Sequence, residues 1–479
     1  MLTGSSTAGG GDVGRLETMR RLGRTLLRQP IRRRIVLALW FVVAAAIALR
    51  LTVMLSSPIL PGDPWRGSGT ARYFLDFRDT IWTPGRYFLS GGNPYDPVAY
   101  QAAYPWALAF SLYAPAWLLL AAALAPLPYL VSIVVFQLLS LVVAIVMLRV
   151  ICRWTMPTVA DLAVPAALLW MNVWYPGRGA LSVQLTTLLA VLGTALVLRS
   201  VTRWPGADPV PNLTPRAQNR GVAIGVALSL LKPQFGAMAL VGIAGGRARA
   251  VLRGVAALAL ASLPVLVVCT AASGGPIEFV RSVLRDLAVA NSPDHPSGLA
   301  FPDQRRLDLL GQFARYGFLD PPVWLQIGAL VMGVIVLPVL VLRLTRRPLP
   351  VAAVVCTAML LGIYHGTYDL LVLFVPVAIG IGMALRGQLT RMADRIAAGA
   401  LLLVVFHLQT VSKRLVPGLD VRGADTVNLV LILIGLTAGL FSAVADRRRA
   451  ATVLAKAGMT AGTPTTTQET MTEKTGGMT

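Results

Sequence analysis

Apolar runs of about 20 residues recur along this sequence, each long enough to span roughly 30 Å of hydrocarbon. A water-soluble chain alternates apolar and polar faces instead. Composition agrees: 56% of the 479 residues are hydrophobic and only 13% are charged, against roughly 25% in a soluble domain. The runs predict an all-α polytopic membrane protein with about eleven or twelve transmembrane helices.

The chain carries 43 Lys+Arg against 21 Asp+Glu, a formal net charge of +22. Such a balance raises the question of nucleic acid, but the arginines sit in short stretches between apolar runs. That is the positive-inside pattern, which holds loops in the cytoplasm against anionic lipid. No nucleic-acid partner is expected. Cys152, Cys269 and Cys356 lie in or beside apolar runs without metal spacing and read as small core residues.

Three regions follow. Residues 1–33 form a basic cytoplasmic segment, whose arginines lead into a run too long for a signal peptide and better read as the first span. Residues 34–446 form the transmembrane domain, with long extracytoplasmic loops at 56–104 and 271–320. Residues 447–479 are rich in Thr and Gly, and a disordered cytoplasmic tail is expected. Arg199/Arg203/Arg216/Arg220, Arg247/Arg249/Arg253, Arg343/Arg346/Arg347, Arg386/Arg391 and Arg447/Arg448/Arg449 all fall inside on this count. One conflict stands. The first loop is outside and Arg149/Arg153 look inside, yet two runs, Trp106–Ala125 and Leu130–Leu148, lie between them. Either one run does not cross, or those arginines are outside. The short runs flanking Lys232 likewise form two spans or one re-entrant pair. No internal repeat of the kind common in secondary transporters is visible.

Four polar groups stand out. The first is Asp76-Phe-Arg78-Asp79, followed by Arg86 and by Gly91-Gly92-Asn93-Pro94-Tyr95-Asp96-Pro97. Gly-Gly-Asn-Pro is turn chemistry. Asp76–Leu89 suits an amphipathic helix at the interface, interrupted at Pro84, or a wet loop with solvated carboxylates. The second is Asn172 with Gln184, amides that commonly bridge helices. The third is Lys232-Pro233-Gln234. A lysine inside a span costs roughly 2.5–3.5 kcal/mol, so it needs a partner or a task; a phosphate would suit it. The fourth is His365 with Asp369, one helical turn apart. His295 and His407 have no comparable neighbours. No metal cluster, phosphate loop or Ser/His/Asp arrangement is visible.

Taken together, these groups resemble glycosyltransferase family 87, GT-C-type membrane enzymes of actinobacteria and other organisms that use polyprenyl-phosphate sugars. The matching pieces are Asp76–Leu89 running into Gly91-Gly-Asn-Pro-Tyr95-Asp-Pro, Tyr104-Pro105, Asn172 followed by Gln184, and Leu231-Lys232-Pro-Gln234. The segment Ser182-Val-Gln184-Leu-Thr departs from the family's usual Gly-Gln. The resemblance implies a GT-C-type bundle whose long first extracytoplasmic loop carries short interfacial helices. It implies an Asp general base, here Asp76 with Asp79 second. Lys232, with Arg78, Arg86 or His365, would hold the donor phosphate. Tyr95, Asn172, Gln184, Gln234 and Asp369 would contact substrate. The implied reaction moves mannose, or else arabinofuranose, from a polyprenyl phosphate to a cell-envelope glycolipid or polysaccharide, with inversion, at the outer face of a bacterial plasma membrane. No cofactor is expected, and a divalent metal stays open. The rival from another class is a transporter or lipid flippase using Lys232, Asp369 and Asp161 as midplane charges.

Overall fold

The structure, a computed structural model, describes residues 29–64, 73–110, 113–204, 213–290, 292, 295, 306, 308–319, 321–363, 366–406 and 421–461. Among these residues the chain is helical throughout, with two isolated bridges and no β-strand. Six helices are long and apolar enough to cross a membrane: Pro30–Leu55, Tyr129–Thr155, Ala248–Ala272, Val323–Leu344, Thr367–Leu385 and Thr426–Leu454. A bent pair, Pro176–Ser182 and Leu185–Val201 at 113°, forms either a broken seventh span or a re-entrant loop. Shorter apolar helices, among them Pro157–Val173, Pro233–Ala244 and Pro348–Gly362, complete a multi-pass bundle. The last helix runs from Val421 to Ala461, so the boundary expected at residue 447 falls within a helix. Residues 1–28 and 462–479 lie outside the described residues.

The arginine clusters gather at one end of the bundle and are knitted together there. Arg32 pairs with Asp161 and donates to Thr158 O at 2.7 Å. Arg386 donates to Thr155 O at 2.9 Å and stacks 4.0 Å over the Trp204 ring. Arg203 N bonds Arg346 O at 2.7 Å, and Arg346 reaches Ala244 O at 3.1 Å. Arg347 pairs with Asp394, and Arg391 with Asp446. Helix Tyr129–Thr155 starts at the opposite end, where Tyr129 Oη donates to Ile59 O, and carries Arg149 and Arg153 to the arginine end.

The conflict over Arg149/Arg153 therefore resolves in favour of a run that does not cross. The stretch Trp106–Ala125 begins and ends against the first loop: Trp106 O accepts from Arg78 at 3.1 Å, and Leu127 O accepts from Trp82 at 3.4 Å. Between those points it dips into the bundle, where Ala114 N meets Leu231 O and Ala116 N meets Ser262 Oγ, both at 3.2 Å. Among its described residues only Trp117–Leu124 is helical. Helices Pro215–Leu230 and Ala237–Ala244 form a hairpin turning at Lys232, its base closed by Arg247 bonding Gln218 and Asn219.

Within the first loop, Asp76–Leu89 is neither a wet loop nor interrupted at Pro84. Leu75–Phe77, a π turn at Arg78–Trp82, and Thr83–Leu89 form one continuous helical stretch. Pro84 has no N–H for the Thr80 carbonyl, and Trp117 Nε1 donates to that carbonyl instead, at 3.2 Å. The whole π turn is buried, so it packs inside the bundle and does not lie at the interface. Gly85 permits the close approach: a Cβ there would sit 2.4 Å from Ala121 O.

Gly85→Val is therefore expected to cost about 1–3 kcal/mol through forced separation of the first-loop helix from Trp117–Leu124. Thermal unfolding in detergent checks this; an unchanged midpoint would show that the contact is slack.

Candidate active site

Three helices are broken at one level of the bundle, and the breaks face one another. Gln184 sits unhelical in the bend between Tyr175–Val183 and Leu185–Val201. Lys232, extended before a proline, caps the hairpin turn. The 3-10 segment Thr367–Leu373 separates Pro348–Gly362 from Phe374–Leu385. Irregular backbone at membrane depth is tolerated where it lines a cavity or is buried in protein. Here it lines a cavity of about 730 Å³ that also receives the first loop, within the range of small-molecule sites.

Lys232 is 3% exposed and Asp369 is 1% exposed. Lys232 Nζ lies 2.5 Å from Asp369 Oδ1 and donates to Thr187 Oγ1 at 2.9 Å, while Thr187 itself donates to Asp369 Oδ1 at 2.9 Å. The second Asp369 oxygen accepts Gly366 N at 3.2 Å. The ammonium also sits 4.7 Å from the centre of the Tyr368 ring. Two of its three N–H groups are thus engaged. Lys232 and Tyr368 line the cavity, whereas Asp369 stands behind Lys232.

Across the cavity stands Asp76. Phe74 precedes it with φ 71° and ψ 24°, a left-handed conformation that costs a non-glycine residue energy. The buried Phe74 side chain holds that turn in the core. Asp76 Oδ2 accepts from Gln184 Nε2 at 2.8 Å, and Gln184 Oε1 accepts from Tyr113 Oη at 3.2 Å. Asp76 lies within electrostatic reach of Lys232.

Asp79 also reaches the cavity wall but is committed elsewhere. Arg78 grips both its oxygens, Nε to Oδ1 at 2.7 Å and Nη2 to Oδ2 at 3.1 Å. Burial pushes the Asp79 carboxyl up to about 6, against the opposing pull of Arg78. The other Arg78 donors go to the carbonyls of Leu60, Asp63 and Trp106. All five N–H groups of this fully buried guanidinium are used, which leaves none for a phosphate.

The remaining residues singled out from sequence divide between the cavity and elsewhere. Tyr95, Gln184 and Gln234 line it. Gln234 Oε1 is buried without a hydrogen-bond partner among the described residues. Asn172 does not reach it: its Oδ1 accepts from Arg50 at 2.9 Å in a separate niche that also holds Gln137. Arg86 stacks on Trp82, exposed and away from the cavity. His365 lies outside the described residues. The Gly91–Pro97 motif is mostly scaffolding. Gly91 takes φ 84°, Asn93 bonds Ser273 Oγ at 2.9 Å, and Asp96 caps helix Pro97–Ala103.

Sequence reasoning passed over His295, which lines the cavity. No local pattern marks it, because its neighbours in space come from other parts of the chain. Burial lowers the basicity of its imidazole. Helix Pro276–Ala290 supplies an apolar wall through Phe279, Val283, Leu287 and Ala290, spaced to share one helical face. Behind it Asp286 is fully buried, with neither oxygen hydrogen-bonded among the described residues. Burial, with Asp96 nearby, pushes its carboxyl up to about 8.

An anionic carboxylate and an ammonium facing one cavity inside a membrane bundle suit group transfer with a charged leaving group. The sequence profile of glycosyltransferase family 87 matches residues 111–373, more than half of the chain. The chain belongs to that family and is a multi-pass membrane glycosyltransferase, which sets aside the transporter alternative. The match covers Gln184, Lys232 and Asp369, whereas Asp76 lies upstream of it. No curated protein and no solved structure matches the chain.

Two outcomes follow from these geometries. Lys232→Met leaves a buried carboxylate without its ammonium and is expected to cost about 3–5 kcal/mol, most of it recovered by adding Asp369→Leu. Unfolding of single and double variants measures this; a double variant no more stable than the single one contradicts the pairing. For Asp286, the folded protein keeps a proton that the unfolded chain releases. Stability therefore falls as pH rises from about 4 towards 8. Asp286→Asn should melt several degrees above the parent at pH 8, with the gain shrinking towards pH 4. A gain independent of pH would refute the buried-acid reading.

Proposed function

We propose that the protein transfers a glycosyl unit from a polyprenyl-phosphate donor to a cell-envelope glycolipid or polysaccharide, on the extracytoplasmic side of a bacterial plasma membrane. Mannose is the favoured sugar and arabinofuranose the second. The observation that carries this reading is the meeting of Asp76 and Lys232, far apart in sequence, on the wall of one cavity.

The chemistry follows from their characters. An acceptor hydroxyl must lose its proton as it attacks the anomeric carbon, and a carboxylate in hydrogen-bond reach takes it. Asp76, oriented by Gln184, is the base. Asp79, gripped by Arg78, orders the loop and is the weaker candidate. The departing lipid phosphate develops negative charge, which a preorganised ammonium stabilises. Lys232 keeps one N–H beyond those given to Asp369 and Thr187, and that donor is assigned to the phosphate. Gln234 Oε1, lacking a partner among the described residues, suits a sugar hydroxyl. The apolar face of helix Pro276–Ala290 suits the first isoprene units. A covalent double displacement needs a second available carboxylate. Asp79 is occupied, so a single inverting displacement is favoured. The arginine excess at the opposite end of the bundle supports an extracytoplasmic cavity, where nucleotide sugars are absent and a lipid-borne donor is the available activated sugar.

Membranes supplied with polyprenyl-phosphate mannose or arabinose test this. Asp76→Asn should lower transfer by about 10²–10⁴-fold at normal protein yield. Asp79→Asn should instead lower the folded yield, because it strips a buried guanidinium of its counter-ion, and keep turnover per folded molecule within about tenfold of the parent. Full activity in Asp76→Asn defeats the base assignment. A wild-type protein that transfers neither sugar defeats the donor reading.

A further inference from the structure

At the arginine end, far from the cavity just described, a second hollow of about 370 Å³ lies between helices Leu185–Val201 and Pro215–Leu230. Arg199 enters it from the end of the first helix, and Arg216 and Arg220 from the start of the second. Arg216 and Arg220 are one turn apart, where like charges repel. Arg199 is half-buried. Among the described residues none of the three has an ion-pair partner. Among the described residues the carboxylates at this end are already taken: Asp161 by Arg32, Asp394 by Arg347, and Asp446 by Arg391 and Arg347. Three guanidiniums around one hollow, with no counter-ion among the described residues, suit an anion, and the planar fork of Arg matches phosphate oxygens.

The other lining points to where that anion comes from. Leu196, Leu213 and Ile224 line the same hollow, and Ile224 is 54% exposed. A soluble phosphate has no use for such a wall, whereas acyl chains do. Basic hollows between transmembrane helices on the arginine-rich side are suited to acidic headgroups.

We propose that Arg199, Arg216 and Arg220 form a binding site for the phosphate of an anionic phospholipid, separate from the candidate active site. The lipid neutralises the three cations and packs its chains along Leu196 and Ile224, which ties the hairpin ending at Lys232 to the inner leaflet.

The test uses the full-length protein in neutral detergent, titrated with dioleoyl phosphatidylglycerol and, separately, dioleoyl phosphatidylcholine. Bound lipid is counted by native mass spectrometry. The triple variant Arg199→Gln/Arg216→Gln/Arg220→Gln should bind phosphatidylglycerol roughly a hundredfold more weakly than wild type. The variant Arg447→Gln/Arg448→Gln/Arg449→Gln, which removes the same charge from the same end, should bind it normally. Inorganic pyrophosphate forms the soluble arm, and is expected to compete only weakly. Should the glutamine triple fail to fold, wild-type titrations at low and high salt decide, because phosphatidylglycerol affinity must fall with salt. Equal binding by the two triples, equal affinity for the two lipids, salt-independent binding, or displacement by pyrophosphate as strong as binding of the lipid would each overturn the proposal.

Discussion

The buried pair of Lys232 and Asp369, bridged by Thr187, is the contact on which the interior arrangement depends. Two ions cannot be taken out of water cheaply, and their attraction offsets the loss only with close geometry and further hydrogen bonds. Thr187 and Gly366 N supply these. The three groups come from three separate breaks: the hairpin turn, the start of the bent second helix, and the 3-10 segment. Each break frees backbone groups that lipid could not satisfy. Joined by this pair, the breaks face a common cavity.

The first loop is anchored by a second buried charge. Arg78 spends all five N–H groups on Asp79 and three carbonyls, a fully satisfied arrangement that a buried guanidinium requires. This grip explains how a polar-looking segment enters the bundle. It also separates two carboxylates three residues apart. Asp79 becomes part of the scaffold, while Asp76, one turn earlier, is presented to the cavity by the strained turn at Phe74 and by Gln184. Pro84 and Gly85 then serve packing: the proline surrenders a carbonyl to Trp117, and the glycine lets the helix settle on Ala121.

Charge is distributed with the same economy. Among the described residues, carboxylates at the arginine end are paired with arginines, Asp446 with two of them, which fastens the helix ends to each other. The cavity lies towards the other end, where Lys232 and Arg78 are buried and paired. A bundle so polarised has one orientation favoured by anionic lipid.

The amino-acid sequence by itself determined the class of structure and much of its organisation. Runs of apolar residues and punctuating arginines act locally, through the cost of placing each side chain in hydrocarbon, so they are legible without coordinates. So was the isolated Lys232, whose burial demanded a partner, and the family resemblance carried by short motifs. Which partner it took was not legible: helical spacing offers Asp369 to His365, which lies outside the described residues, and only the fold brings Asp369 to Lys232. The same holds for Trp106–Ala125, apolar enough to cross but folded back against the first loop, and for Arg78, Asn172 and His295. Each is decided by what approaches from distant parts of the chain. Hydropathy sums over neighbours in sequence, whereas hydrogen bonds and ion pairs are made by neighbours in space, and only the tertiary structure supplies those.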